Sequence, residues 1–546
     1  MNLPVVPPNV DSTAARGASH QPGRTASRPV AVVDIGVSSI RMAIAEIHDP
    51  IDGRGEPAIR KLETMIQSVP LGRDVFDNRR LRRSSIEAAA KVLQNYRKVW
   101  QSYGVDESRD VRVVATTAVR EASNALAFTD RIFVATGLTV DVIDEAEVNR
   151  ITYVAVMPHL RRHDRLYDGK TVVVEVGGGT TEQLIIRSGN VLHSRSYRLG
   201  SLRSLRALEE FRSGASKRRK MLEQHMQRTM GQMTETIRRD TAVELLALGG
   251  DVRFAAHHLL EHWDGIGLAK LPIKAFNQFV DKVITMDSDD IVRRLGASFI
   301  EAETLGAALL VYQMLAAEFS LSHLYVGDTN LRDGLLHDLS RGFDWTSDFA
   351  NQIARSAITM GRRFEFDETH ARNVSQLAGS LFSQMQSIHD LTPRHKVLLS
   401  VAALLHEIGT VVNVRSNHKH AMYLIRHCDL FGLSREDLLI VALVVRYHRR
   451  AYPQPTHDGF ATLDQNSRVA VAKLAAILRL AISLDDRRTG RIRNVRVDAS
   501  GSDVTLLALG VNDVALEQVS MQENRGLFRT VFGRNVRLKC DARKRD

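Results

Sequence analysis

The stretch TVVVEVGGGTTEQLIIRSGNVLHSRSYRL, Thr171 to Leu199, decides the fold. Thr171 to Val176 is β-branched apart from Glu175 and reads as a buried strand. GGGTTE makes a tight loop, and QLIIRSGNVLHSRSYRL reads as a hairpin with Ser188, Gly189 and Asn190 at its turn. Three successive glycines directly after a buried strand let several backbone N–H groups converge on one anion. The alternative is a bare flexible turn.

The same plan recurs upstream. PVAVVDIG, from Pro29, is a short apolar run ending in glycine, and IRMAIAEI follows as a second strand. Asp34 ends the first strand with a carboxylate that can hold Mg²⁺ or orient water, Gly36 opens the turn, and Ser38 and Ser39 bring hydroxyls. Taken alone, such a hairpin is more often only a turn. Two hairpins of this kind, each with an acid-ended strand before glycine and hydroxyl residues, suggest an internal duplication and two lobes facing across a cleft. Between them come helical spacing from Ser84 to Trp100, a buried strand with a helix following over Val111 to Val119, and a strand over Thr139 to Asp144. Strands alternating with helices give the α/β class.

At 546 residues the chain exceeds what one core usually serves. A 44% hydrophobic and 25% charged composition excludes wholesale disorder. The net charge of +11 favours a polyanionic partner: nucleic acid, acidic lipid or polyphosphate. The basic residues cluster at Arg79, Arg80, Arg82 and Arg83, at Lys217 to Lys220, and at Arg446, Arg449 and Arg450. Cys428 and Cys540 are too few for a disulfide framework or a thiolate zinc site, so a reducing, cytoplasmic location is expected. No stretch approaches the roughly 18 consecutive apolar residues of a membrane span, and the first thirty residues lack a signal-peptide core, so neither a membrane partner nor secretion is expected. The domain map is a disordered tail over 1–29, one lobe over 30–150, a second over 151–342, a mostly helical domain over 345–490, and a small α/β cap over 491–546.

Phosphoryl transfer to water needs neutralised phosphoryl oxygens and a carboxylate that activates the nucleophile, and both loops carry acids beside amide donors. Five blocks stand in order: DIGVSSIR, ATTAVREASN, EAEVNR, EVGGGTTE and SYRLGS. Over roughly residues 30 to 338 the chain thereby resembles the exopolyphosphatase and guanosine pentaphosphate phosphatase family, within the actin, sugar kinase and Hsp70 superfamily. That family's pattern runs D-x-G-S-N-S-x-R, A-T-S-A-x-R-x-A-x-N, G-x-E-E-A, D-I-G-G-G-S-T-E and S-x-x-L-G. The resemblance implies two actin-like, ribonuclease H-like lobes. It implies that Glu147 is the catalytic base, that Glu175 and Glu182 assist metal and water, and that Asp34 and Glu175 hold Mg²⁺. Arg120 would contact phosphate, the alternative being an ion pair with a neighbouring acid. Ser38, Ser39, Gly178, Gly179 and Thr180 would cradle the terminal phosphate. The implied substrates are inorganic polyphosphate and guanosine pentaphosphate, with no specific nucleic acid, in a homodimer.

The chain departs from the pattern at Val37 and Ser38 in the first loop, at Glu175 in place of aspartate, and at Val148 in place of the second acid after Glu147. These departures motivate the alternative of a polyphosphate- or nucleotide-binding regulator without turnover. A sugar or acid kinase of the same superfamily matches the blocks less well. Leu246 to Asp251, LALGGD, resembles a strand-and-glycine segment of the superfamily and is read as fold evidence only.

In the C-terminal half, His406-Glu407, with His370, His418, His420 and His448, resembles an HD-type helical domain. Its usual pair is His-Asp, and the position of its last ligand is read as apolar within Ala481 to Asp485, so metal is not expected there. Arg394, Lys396, His418, Lys419 and His420, with His395, are read instead as a basic groove for polyphosphate, or as plain surface charge.

Overall fold

The computed structural model describes residues 27–50, 57–208, 215–235, 237, 242–341, 345–499 and 501–541. The tail expected over 1–29 lies outside the described residues as far as residue 26. Its last three residues instead open the first strand, with Ser27 paired to His48.

The first sheet holds β1 (Ser27–Ile35), β2 (Ser39–His48), β3 (Ala58–Ser68), β4 (Val111–Ala115) and β5 (Asp141–Val142) in the order β3-β2-β1-β4-β5. β1 pairs antiparallel with β2 and β2 with β3, whereas β4 runs parallel to β1 and β5 parallel to β4. The second sheet holds β6 (Lys170–Val176), β7 (Thr181–Arg187), β8 (Asn190–Tyr197), β9 (Val243–Leu248), β10 (Leu268–Pro272) and β11 (His323–Gly327), ordered β10-β11-β9-β6-β7-β8. Read from β8, the run β8-β7-β6-β9-β11 repeats β3-β2-β1-β4-β5 in order and direction, with β10 added antiparallel at the edge. The duplication suggested by two short hairpins therefore extends through five strands of each sheet. Central β1 is apolar because both of its faces are covered, Ala31, Val33 and Ile35 packing in one cluster and Val30 and Val32 in another.

Two sequence readings change. The strand expected over Thr139 to Asp144 shrinks to two residues, because Asp144 caps the next helix by accepting from the Glu147 N–H at 2.9 Å. Linear boundaries at 150 and 342 do not divide the lobes cleanly. The Leu331–Ser340 helix follows the last strand of the second sheet yet buries Leu335, Leu336 and Leu339 against Val30, Val32 and Ala45 of the first. It crosses the Glu145–Leu160 helix closely enough that a side chain at Gly334 would overlap Ile151. The Phe299–Glu318 helix is long and apolar enough by composition to cross a membrane, but Leu305, Leu309 and Tyr312 are buried in the core of the second lobe.

The remaining helices pack as one unit with a sheet of β12 (Val495–Asp498), β13 (Val504–Ala508) and β14 (Val536–Cys540). Leu474 and Ile477 of the Gln465–Ser483 helix share a core with Leu506, Leu527 and Phe528, so the separate cap expected from 491 is continuous with the helical domain. Tyr153, Phe349 and Phe431 stack edge-on where this unit meets the second lobe, and the Gln352 amide donates to Gly189 O at 2.7 Å.

Candidate active site

The two hairpin turns close in the same way. Gly36 N–H donates to Ser39 O at 3.0 Å, and Gly177 N–H donates to Thr180 O at 2.9 Å. In the second turn the carbonyls of the three glycines are all taken by the segment that opens the Ser201–Ala207 helix. Ser201 N–H donates to Gly177 O at 2.9 Å, Arg203 N–H to Gly178 O at 3.0 Å, and Arg203 Nε to Gly179 O at 2.7 Å. Because the peptides are trans and planar, the N–H groups of Gly178, Gly179 and Thr180 point away from that helix, forming an anion nest. The turns also touch: a Cβ at Gly178 would sit 2.9 Å from Val37 Cγ1, and one at Gly179 would sit 2.6 Å from Thr117 Cγ2. Thr117 and Thr180 meet hydroxyl to hydroxyl at 3.2 Å.

Between the turns lies a cleft of about 200 Å³. Asp34, Ser38, Glu175, Gly178, Gly179, Thr180 and Glu182 all line it, as the sequence led one to expect. Ser39 does not: it is buried, and its carbonyl closes the first turn. Arg41, Asp251 and Glu301 line the cleft and were not singled out. Asp251 follows the paired glycines of LALGGD at the end of β9, where a polar residue at the mouth of a parallel sheet was the available signal.

Three carboxylates of this cleft, Glu175, Glu182 and Asp251, are costly to ionise. Burial pushes Glu182 up to about 7, against the Thr180 hydroxyl that donates to it at 2.7 Å, and the charge of Glu175 adds to the rise. Burial likewise raises Glu175, opposed by Arg253 and assisted by Asp34. Asp251 is pushed up to about 7 by burial, opposed by Arg41 and assisted by Glu301. Asp34 faces Arg332 at 3.7 Å through Oδ2, while its buried Oδ1 has no hydrogen-bond partner among the described residues.

Glu147 is placed otherwise than expected. Its carboxylate accepts from Arg150 Nε and Nη2 at 2.7 and 2.8 Å and lies 3.5 Å from Arg112, while Arg150 also grips Asp338. Burial works to raise Glu147, but the Arg150 hydrogen bonds and the charges of Arg150, Arg112 and Arg394 outweigh it and hold the carboxyl below its ordinary range. A carboxylate so held is a poor base, and it does not line the cleft. Val148, one residue and about 100° further round the helix, does. Arg120 also misses the cleft: its guanidinium pairs with Glu145 at 3.2 Å and donates to Ile143 O at 2.9 Å, so the ion-pair alternative describes it. It lines an adjoining pocket with Arg79, Arg198, Arg203 and Arg435.

The basic groove expected in the C-terminal half is not assembled. Arg394 sits at the start of the Pro393–Leu405 helix, bidentate to Asp437 at 2.7 and 2.8 Å and over the Trp345 ring, with Lys396 exposed nearby. His418, Lys419 and His420 begin the Asn417–Arg426 helix beyond the other end, His418 lying 6.4 Å from His448, which lies 5.4 Å from His406. Thirteen residues of helix, roughly 20 Å, separate the two patches. Asp485, read as the end of an apolar segment, instead accepts from His370 Nδ1 at 2.9 Å.

Residues 47–342 match the model of the Ppx/GppA phosphatase family, and residues 354–525 match that of Ppx/GppA phosphatase, domain III. The second match runs across the junction between the helices and β12–β14, in keeping with their common core. A guanosine-5′-triphosphate,3′-diphosphate pyrophosphatase of Photobacterium profundum is 26% identical over 392 residues, covering 69% of this chain and 73% of its own length. One of the same name from Aliivibrio fischeri is 24% identical over 496 residues, covering 89% and 92%. The crystal structure of an exopolyphosphatase-like protein superposes with a TM-score of 0.50 at 20% identity, covering 58% of this chain and all of the other, a likeness of fold alone.

Proposed function

The chain belongs to the Ppx/GppA phosphatase family, and from that premise we propose that it removes the terminal phosphate of inorganic polyphosphate in the inter-lobe cleft, with guanosine pentaphosphate as a second substrate. The observation that carries this reading is a carboxyl at Glu182 pushed up to about 7 beside the N–H nest of Gly178, Gly179 and Thr180. A base works best with a pKa near the working pH, and developing phosphoryl charge is met most cheaply by donors already in place. A cleft of about 200 Å³ is small beside the roughly 300–1,000 Å³ of ordinary ligand sites, which suits entry of a narrow chain end with the rest of the substrate outside.

In this mechanism the terminal phosphoryl group lies against the nest, with Ser38 and Arg41 across the cleft. Glu182 takes a proton from water as the water oxygen bonds to phosphorus. The bridging P–O bond breaks, and its electron pair leaves with the shortened chain. Asp34, through its unpartnered Oδ1, with Glu175 and Asp251, would hold Mg²⁺, which neutralises phosphoryl charge when bound.

One observation favours a second reading, a binding regulator without turnover. Val148 lines the cleft and offers no carboxylate there. Phosphate release from long-chain polyphosphate with Mg²⁺ separates the two readings. Hydrolysis by wild type that is lost in Glu182→Gln and retained in Glu147→Gln supports the hydrolase and its base. Polymer binding without release by wild type overturns it in favour of the regulator.

A further inference from the structure

One buried hydroxyl in the second lobe ties together two strand ends that frame the cleft. Tyr312 lies in the Phe299–Glu318 helix with its side chain fully buried, outside the lining of the cleft. Its Oη accepts from Val176 N–H at 2.9 Å and donates to Leu248 O. Val176 ends β6, one residue before the glycines of the second turn, and Leu248 ends β9, one residue before Gly249, Gly250 and Asp251. The two strands run parallel as neighbours, and Glu175 opposite Leu248 is the last pair of their register. Past that pair, the phenol links the two chains.

Both partners are backbone groups, so the hydroxyl acts on the course of the chain itself. Without it, Val176 N–H loses an acceptor and Leu248 O a donor, and buried peptide groups in that condition shift until they pair. Any such movement is passed to the first residues of both loops. Gly249, at φ +114°, turns directly beside the phenol: a Cβ there would lie 3.5 Å from Tyr312 Oη and 3.6 Å from Val176 O. Burial pushes the phenol well above its ordinary range, against the hydrogen bond from Val176, and the charges of Glu175 and Asp251 add to the rise. The hydroxyl therefore keeps its proton and its donor role.

We propose that Tyr312 is a positioning residue for phosphoryl transfer, its hydroxyl setting the spacing between the nest of Gly178, Gly179 and Thr180 and the carboxyl of Asp251. The assignment rests on the hydrolase reading of the cleft. Asp251 is among the three carboxyls that would hold Mg²⁺, so the same hydroxyl fixes how far that group stands from the nest. A phosphoryl group at rest is held by the nest, whereas the transition state calls on both sides of the cleft at once. Spacing therefore bears on kcat before it bears on KM.

The test compares Tyr312→Phe with wild type in phosphate release from polyphosphate with Mg²⁺. Calorimetry then gives the affinity of each for inorganic phosphate and for vanadate, a mimic of the transition state. Tyr312→Phe is expected to lose about 10- to 100-fold in kcat and the same factor in vanadate affinity, with KM and phosphate affinity within about threefold. Leu315→Ala, fully buried on the same helix, opens a cavity and should lower the melting temperature while leaving kcat and vanadate affinity at wild-type values. Circular dichroism establishes that each variant is folded; should Tyr312→Phe not fold, Tyr312→Met takes its place. Wild type that releases no phosphate overturns the hydrolase reading alone, and the vanadate comparison then decides whether the hydroxyl sets the spacing. Vanadate affinity unchanged in the folded Tyr312 variant, or reduced equally in Leu315→Ala, overturns the proposal.

Discussion

The turns of Asp34 to Ser39 and Glu175 to Glu182 start from the same strand order and the same closing hydrogen bond, yet they do different work. The second turn has its glycine carbonyls tied down by the segment opening the next helix, which leaves a set of amides aimed one way. The first puts a buried Val37 against Gly178, so part of it serves as packing between the lobes. Duplication supplied two equivalent frames, and small residue changes made one the anion nest and the other its wall. The asymmetry predicts that substitutions in the second turn are felt in turnover and those in the first beyond Asp34, from Gly36 to Ser39, mainly in stability or affinity.

Glu182→Gln should have the largest effect, a loss of turnover of about 100- to 10,000-fold, the range of a general base. Wild-type rate should rise about tenfold per pH unit below pH 7 and level off above it, as Glu182 loses its proton. The same variant should be more stable than wild type at pH 8. A carboxyl raised in the folded state opposes folding once it must ionise, so removing it gains up to about 3 kcal/mol there, and the gain disappears below pH 4.5. Urea midpoints at pH 8 and pH 4 check this; an inactive variant that is also less stable at pH 8 would assign Glu182 a structural role.

Gly179→Ala comes next, at about 100-fold in turnover. Its Cβ meets Thr117 Cγ2 at 2.6 Å, and relieving the overlap shifts the nest on a scale that costs this much. Glu147→Gln should leave turnover within about tenfold while lowering stability by about 1–3 kcal/mol, since Arg150 loses a charged acceptor and keeps only Asp338. Loss of turnover in Glu147→Gln with stability intact would return the base to that residue.

The lobes were legible because hairpins with glycine turns are local, and local hydrogen bonding sets their shape. The second turn carries most of its chemistry within Glu175 to Glu182, so eight contiguous residues announce it. Asp251 and the Leu331–Ser340 helix were not legible in the same way, since each reaches its place through sheet order or helix crossing, whereas Arg41 ends the first block, DIGVSSIR, and pairs with Asp34 across the same hairpin. The direction of Glu147 has a signal in the sequence. Arg150 stands at i+3, the spacing of an ion pair on one helix face, and that face turns Val148 toward the cleft. Asp485 was passed over because a ligand position counted along a motif has no register until the helix that carries it is placed against His370.

Val37→Ser should have the smallest effect and says most about the difference between the turns. Val37 packs on Gly72, Gly178 and Leu202, and trading its methyls for a hydroxyl leaves a small void that costs about 1 kcal/mol. The hydroxyl also sits 2.9–3.7 Å from where a Gly178 side chain would lie, at the edge of the nest, where it can donate to a phosphoryl oxygen. The expected result is a slightly lower melting temperature with KM for polyphosphate falling by a few-fold and kcat unchanged. A change in kcat as large as that of Gly179→Ala would mean that the first turn shares in transition-state binding and that the division of labour between the two turns is not the one drawn from their hydrogen bonds.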